Sequence, residues 1–332
     1  MEAIRVLGGG PAGSAAAIAA LSESAAVHLY EKSTLPRHKV CGEFLSPGAA
    51  RILETLGVWQ DFLRLEPARI RRCVLHFGSR AKSWTLPECA FGLSRYEFDR
   101  LLLDSARRLG ATVEHIRAPH DGEAPVVVAT GRPSLAPRGN RLFGFKTHFD
   151  GPTDDAVALF LFRDCYAGVS AVENGITNVC GIAPESVLRD HNFQMDELLD
   201  RWQPLRERTR PLTRRMRWLT TGPLVFTRSP DAASHPNVYP AGDALGFIDP
   251  FTGTGMLNAL LTGRMAGIAA ARRTSSQAYL RECHRALAGP FRAAALFRAA
   301  LRWEWAGALA RLVPGNWLFH LTRAVDFRLR AG

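Results

Sequence analysis

The chain has 332 residues, 47% of them hydrophobic and 22% charged, which excludes a disordered or fibrous protein and allows a large core in two interlocked lobes. The formal net charge of +11 is carried almost wholly by arginine, the lysines being Lys32, Lys39, Lys82 and Lys146. Such a surface attracts anions such as nucleotides and acidic membranes, and the same arginine and alanine richness is what a GC-rich bacterial genome produces.

The first elements come from "AIRVLGGGPAGSAAAIAALSES". It reads as a short apolar strand over 3–7, a glycine turn, and an alanine-rich helix from Pro11 to Ser22. Gly8, Gly10 and Gly13 fall in the GxGxxG register. The first glycine permits the tight turn, the second lets a pyrophosphate approach the backbone, and the third lets helix and strand pack closely. Pro11 suits the first helical turn, where no amide donor is missed. With Ala12 it opens a helix N-terminus that faces the diphosphate. A second strand over 27–30 ends at Glu31, placed to accept hydrogen bonds from a ribose 2′-hydroxyl and to disfavour a 2′-phosphate.

A polar loop over 32–46 follows and carries "RHKVCGEFLSP"; Ser46 is positioned to cap a helix that Pro47 opens. Beyond "SRYEFDRLLLDSA" the strand-like runs "VVV", "RLFGFKTHF" and "AVALFLF" are expected, the last two in a mostly antiparallel lobe. "CYAGVSAVENGITNVCGI", over 165–182, has two alternating runs about an Asn-Gly turn and reads as a β-hairpin. Tyr166 and Asn178 on it are candidates to orient a substrate, with an ordinary sheet surface as the alternative. His148 points into a cavity or out to solvent. A strand at Val238 and Tyr239 then leads through Gly242-Asp243 to a second glycine loop and a helix starting near Thr254. Asp243 is placed to hold a sugar hydroxyl, and the amides of Gly253, Thr254 and Gly255 to stabilise an anion. The C-terminal stretch reads as three helices broken at Gly289-Pro290 and Pro314-Gly315. Leu296, Phe297, Leu301, Trp305 and Leu309 recur on it at helical spacing among Arg292, Arg298, Arg302 and Arg311. It is either a cap packed on the lobes or an interfacial surface that meets a membrane or a carrier protein.

The six cysteines, at 41, 73, 89, 165, 180 and 283, form no CxxC pair and no metal-like spacing with histidine, so no metal site and no disulfide scaffold are expected. No uncharged apolar run reaches membrane-spanning length, and a cytoplasmic or membrane-peripheral chain is expected. The dispersed arginines form no nucleic-acid reader motif.

The N-terminal glycine loop, "SRYEFDRLLLDSA" and "GDALGFIDPFTGTG" resemble the FAD-binding motifs of flavoproteins of the p-hydroxybenzoate hydroxylase fold, over most of residues 1–272. That family includes flavin monooxygenases, flavin halogenases and geranylgeranyl reductases. The resemblance implies an α/β fold in which a Rossmann-like FAD-binding domain is interleaved with an antiparallel β-sheet substrate domain, followed by a helical cap. The expected boundaries are 1–72, 92–140 and 228–275 for the FAD domain, 73–91 and 141–227 for the substrate domain, and 276–332 for the helices. It further implies Glu31 at the adenosine ribose, Asp243 with Gly242 at the ribityl chain, Arg95 at the phosphates, and the loop from Pro250 through Gly253 and Gly255 to Met256 at the flavin pyrimidine. Lys32, Arg37, Cys41 and Gly42 would complete the cofactor contacts. There is no second GxGxxG, and Thr130-Gly131 replaces the Asp-Gly pair common in the family, so reduction is expected from a transiently bound NAD(P)H or from another donor.

"KVCG", residues 39–42, is similar to the Lys-x-Cys-Gly element of geranylgeranyl reductases. By that resemblance Cys41 lies beside the flavin as a proton donor or acceptor, which suits a thiol, whose ordinary pKa of about 8.5 leaves it mostly protonated at neutral pH. Packing under the cofactor is the alternative. The only W-x-W, in "WEWAG" at 303–307, lacks the Ile-Pro of the halogenase WxWxIP motif, which turns the reading away from halogenation. The expected activity is hydride transfer between flavin N5 and an unsaturated, largely apolar isoprenoid- or polyketide-like molecule of secondary metabolism. The alternatives are monooxygenation of an aromatic or polyketide-like substrate and non-catalytic flavin carriage.

Overall fold

The computed structural model describes residues 2–77, 80–116, 124–132, 141–162, 165–226, 236–247, 251 and 253–301, with the side chains of 290 and 292–301 set aside. In chain order the elements are β1 (Ile4–Leu7), α1 (Pro11–Ser22), β2 (Val27–Tyr30), β3 (Phe44–Leu45), α2 (Ala49–Thr55), α3 (Trp59–Arg64), β4 (Ala68–Phe77), β5 (Arg80–Gly92), α4 (Arg95–Arg108), β6 (Thr112–Glu114) and β7 (Val126–Val128). There follow β8 (Leu142–Asp150), β9 (Ala156–Phe162), β10 (Cys165–Ala171), β11 (Thr177–Pro184), α5 (Glu185–Asp190), α6 (Met195–Asp200), α7 (Gln203–Thr209), β12 (Thr213–Arg214), β13 (Leu219–Leu224), β14 (Val238–Pro240), α8 (Gly255–Ala271) and α9 (Ser276–Leu301).

Two sheets organise these elements. One is parallel, in the order β14-β7-β1-β2-β6. The other runs β12-β8-β11-β10-β9-β4-β5-β3 with β13 also on β8, and is antiparallel except where β4 meets β9. The α/β architecture implied by the glycine motifs is the one observed. Beside the parallel sheet, small residues let α1 and α8 pack directly on each other at close range. A Cβ at Gly263 or Gly267 would lie 2.2 Å from the carbonyl oxygen of Ala12 or Ala16, respectively, so larger residues there would force the helices apart. Phe62, Phe98, Tyr239 and Tyr279 fill the rest of this core.

The antiparallel sheet shows the period of two that the hairpin sequence announced. Ala158, Phe160, Ala167, Val169 and Val179 point to a core closed by Leu188, Leu198, Leu199 and Leu205 from α5, α6 and α7. Their neighbours Val157, Leu159, Tyr166, Gly168 and Cys180 face a cavity between the sheets. The hairpin turns at Asn174 and Gly175, with φ of 58° and 67°, as its Asn-Gly pair requires.

Two boundaries differ from the sequence reading. The helix expected to open at Pro47 starts at Ala49, and the Ser46 hydroxyl caps nothing: it is buried without a hydrogen-bond partner among the described residues. The Ala49 amide donates to the Ser46 carbonyl instead, which makes this stretch a turn. Nor does α9 break at Gly289-Pro290; it runs through to Leu301, because an internal proline removes one hydrogen bond without dictating where a helix stops. The second expected break and Trp303, Trp305 and Leu309 lie outside the described residues. No helix among the described residues is long and apolar enough to cross a membrane.

Candidate functional site

The three glycines of the first loop differ in what they leave open. A Cβ at Gly8, whose φ is +105°, would lie 2.4 Å from the Ala129 carbonyl oxygen, and one at Gly13 only 1.8 Å from that of Gly8. Both positions are closed by packing. At Gly10 the nearest atoms are two cationic nitrogens, Arg95 Nη2 at 3.8 Å and Lys39 Nζ at 3.9 Å, so the space over this glycine is open and positively flanked. Both cations rest on one carboxylate. Arg95 forks onto Asp99 through Nε at 2.7 Å and Nη2 at 2.8 Å, and Lys39 reaches it at 2.7 Å. Burial opposes ionisation of Asp99, but Arg95 and Lys39 outweigh it and hold the carboxyl below its ordinary range. Two cations and one anion leave a single positive charge at the N-terminus of α1, a combination that fits a diphosphate. Lys39 was legible as part of a basic run and of the Lys-x-Cys-Gly element, not as a partner of the diphosphate.

Glu31 closes the far end of β2, buried, with Oε2 accepting from the Gly9 amide and Oε1 from that of Ser33, both at 2.8 Å. Each oxygen keeps a second lone pair for a ribose hydroxyl. Lys32 and Arg37 line the same cavity. On the opposite side Asp243 sits in a 3₁₀ turn, Gly242–Ala244, that follows β14. Burial raises the pKa of Asp243, with Arg95 and Arg132 opposing, and among the described residues no side chain forms an ion pair with it. A half-buried carboxylate in that condition calls for hydroxyl donors, which a ribityl chain has. Gly253 has φ +64°, Thr254 is buried, and Gly255 opens α8 with nothing within 4 Å of its Cβ position. Met256 lines the cavity beside them; Pro250 lies outside the described residues. The residues present therefore fit a dinucleotide, which Gly10 would hold at its diphosphate and Glu31 and Asp243 at its sugars.

The loop 41–43 is clamped from four directions. Asn178 Nδ2 donates to the carbonyls of Cys41 at 3.2 Å and Gly42 at 2.9 Å. The Cys41 sulfur accepts the Glu43 amide at 3.4 Å, and the Arg95 guanidinium acts on it electrostatically. Glu43, with φ +52°, turns its carboxylate fully inward. There Oε1 accepts from the Arg95 amide at 2.6 Å and from Lys146 Nζ, while Oε2 stands 2.6 Å from His148 Nε2. Burial works against this carboxylate, but His148 and Lys146 outweigh it and hold its pKa below the ordinary value. Burial also pushes the neighbouring Cys180 thiol up to about 12, so it stays protonated.

Two sequence candidates are thereby relocated. His148 is 3% exposed and turned onto Glu43, so it faces neither solvent nor the cavity, because the face of β8 it shares with Lys146 meets a carboxylate arriving on the loop after β2. Asn178 is buried and spends its amide on the loop backbone, away from any substrate. Tyr166 does line the cavity, edge-on to Phe251 at 5.5 Å. His38, Glu43 and His148 bring ligand-type atoms within 4.8 Å of one another, but Lys146 already supplies the cation this carboxylate needs. Glu43 and Lys146 were not among the sequence candidates.

The cavity measures about 920 Å³ and runs without interruption from the glycine loop to an apolar compartment lined by Leu75, Trp84, Leu86, Val157 and Leu159. Cys41 lines this cavity on a loop tied to β11 through Asn178 and to α4 through Arg95. A group bound along the polar part can thus face a second, apolar molecule in the remainder.

No family model matches the chain. A curated tryptophan 2-halogenase from Chondromyces crocatus is 31% identical over 152 residues, which is 43% of this chain and 28% of that protein. The chain thus matches little more than a quarter of that relative's length. Among solved structures, a flavin-dependent brominase superposes with a TM-score of 0.80 at 16% identity, covering 96% of this chain and 92% of that one. The myxobacterial chondrochloren halogenase, described as an FAD-dependent halogenase variant, gives 0.77 at 18%, covering 99% and 87%. A geranylgeranyl bacteriochlorophyll reductase-like protein from Thermoplasma acidophilum gives 0.73 at 20%, covering 99% and 93%. The fold is the one these flavin-dependent proteins share. Halogenases, which the missing WxWxIP motif had turned the reading away from, recur beside the reductase-like protein, and the fold alone does not separate them.

Proposed function

We propose that the chain is an FAD-dependent oxidoreductase that acts on an apolar small molecule. The observation that carries this reading is the continuity of one cavity from the cationic space over Gly10 to the apolar face of the antiparallel sheet. Gly10, Arg95 and Lys39 would hold the diphosphate, Glu31 and Asp243 the sugars, and the amides at Gly253 to Gly255 the flavin ring. Bound there, FAD supplies or accepts a hydride.

The residues of the chain define the rest. Trp84, Leu86 and Leu159 exclude water from the reacting molecule, which favours an unsaturated, largely apolar substrate. Cys41 holds a proton at Sγ, and when it gives that proton to one carbon of a double bond as the neighbouring carbon takes the hydride, Arg95 offsets the charge left on sulfur. The reverse direction is dehydrogenation by the same atoms. Asn178 and Glu43 fix the thiol relative to the sheet.

A second reading, oxygen-dependent halogenation or hydroxylation, is favoured by the name of the curated relative. The two separate in one experiment: the protein is loaded with FAD, reduced anaerobically and mixed with unsaturated apolar acceptors, before and after admission of oxygen and bromide. The reductase reading expects acceptor-dependent reoxidation of the flavin without oxygen, slowed roughly 100-fold or more by Cys41→Ser. Product formed solely with oxygen present, and insensitive to that substitution, would transfer the chain to the second reading.

A further inference from the structure

The cavity is lined by one half-buried cation that the mechanism above does not use. Arg132 follows Thr130-Gly131 at the end of β7 and lines the cavity. Its Nη2 donates to Thr221 Oγ1 of β13 at 2.8 Å, and its guanidinium carbon lies 5.1 Å from the centre of the Phe247 ring. Among the described residues no carboxylate stands within ion-pair distance of it; Asp243 acts on it only from further away. The contrast with two other partly buried cations of the cavity is direct, because Arg95 and Lys39 both rest on Asp99. Burial lowers the pKa of Arg132, so its charge is incompletely compensated where it stands. A guanidinium lining the cavity between Thr221 and an aromatic face is suited to a planar anion.

We propose that Arg132 is the anion anchor of the cavity, and that the molecule entering the apolar compartment carries a carboxylate that pairs with it beside the Phe247 ring. The inference rests on the oxidoreductase reading and narrows its substrate class to an apolar body with one acidic end. It also gives the strand-end loop a role in choosing the substrate, since Leu219 and Leu224 of β13 line the same space.

The test is calorimetric titration of the FAD-loaded protein with 2-naphthoate and with 2-naphthamide, which share a ring system and differ in charge. The expected result is at least roughly tenfold tighter binding of the acid, the size of one charge-assisted pair. In Arg132→Met that preference falls to about one while the amide binds as before, and in Arg132→Lys it is partly restored. Thr221→Val, which removes the strut but keeps the charge, retains the preference. Equal affinities in the unaltered protein, failure of both probes to bind, or a preference that survives Arg132→Met would each overturn the proposal. So would a flavin midpoint potential that drops in Arg132→Met while the preference stands, since the guanidinium would then serve the reduced cofactor. Protein that takes up no FAD contradicts the preceding reading, and the same titration on that protein still decides the role of Arg132.

Discussion

Glu43 and Lys146 form an ion pair with no exposure of either side chain, and it joins the loop after β2 to the middle of β8 across 103 positions of sequence. The pair ties the Cys41 loop to the antiparallel sheet, while the Arg95 amide ties it to α4. Two further partners, the Arg95 amide and His148, complete the carboxylate, so its burial is compensated on both oxygens.

Removing one member therefore leaves the others buried and uncompensated. Glu43→Ala is expected to destabilise the protein by about 3–5 kcal/mol, the range for breaking a buried pair from one side. Urea unfolding measures this. The double variant Glu43→Leu with Lys146→Met should recover much of the loss, because no lone charge then remains.

The pair also sets a pH dependence. The folded pKa values of Glu43 and Asp99 lie below the ordinary ones, so the stability they contribute is present above the carboxylate range and is lost as pH falls through it. Melting temperature should thus decline on the acid side of about pH 4.5. Glu43→Gln should flatten that limb. An unchanged acid limb in this variant would show that Glu43 is not held as a carboxylate.

Asp243 has the opposite sign. Its folded pKa is raised, so the stability linked to it is present at low pH and lost as pH rises through the ordinary carboxylate range. Asp243→Asn should therefore raise the melting temperature of the cofactor-free protein at neutral pH and weaken FAD binding, a trade of stability for function. Thermal melts with and without FAD test both halves.

How much of this was legible depends on range. The glycine register, α1, β2 and the Asn-Gly hairpin are local patterns, and each formed where its residues indicated. Glu43 looked like one more residue in a polar loop because its partners, Arg95, Lys146 and His148, come from α4 and β8. His148 could not be oriented before the lobes were docked, since strand periodicity names two faces without saying what each meets. Ser46 had the chemistry of a cap, but the turn through Pro47 and Gly48 took the chain elsewhere. Pro290 had the chemistry of a break, and α9 ran through it.

The central claim, that the first glycine loop holds the diphosphate of FAD between Arg95 and Lys39, is tested most directly by FAD titration of Gly10→Ala. A methyl group there has no protein atom nearer than 3.8 Å, so the variant should fold with stability within about 1 kcal/mol of the unaltered protein. It should nonetheless bind FAD roughly tenfold to a hundredfold more weakly, because the methyl occupies the space where the phosphate meets the backbone. A folded Gly10→Ala protein that takes up FAD with undiminished affinity would contradict the account.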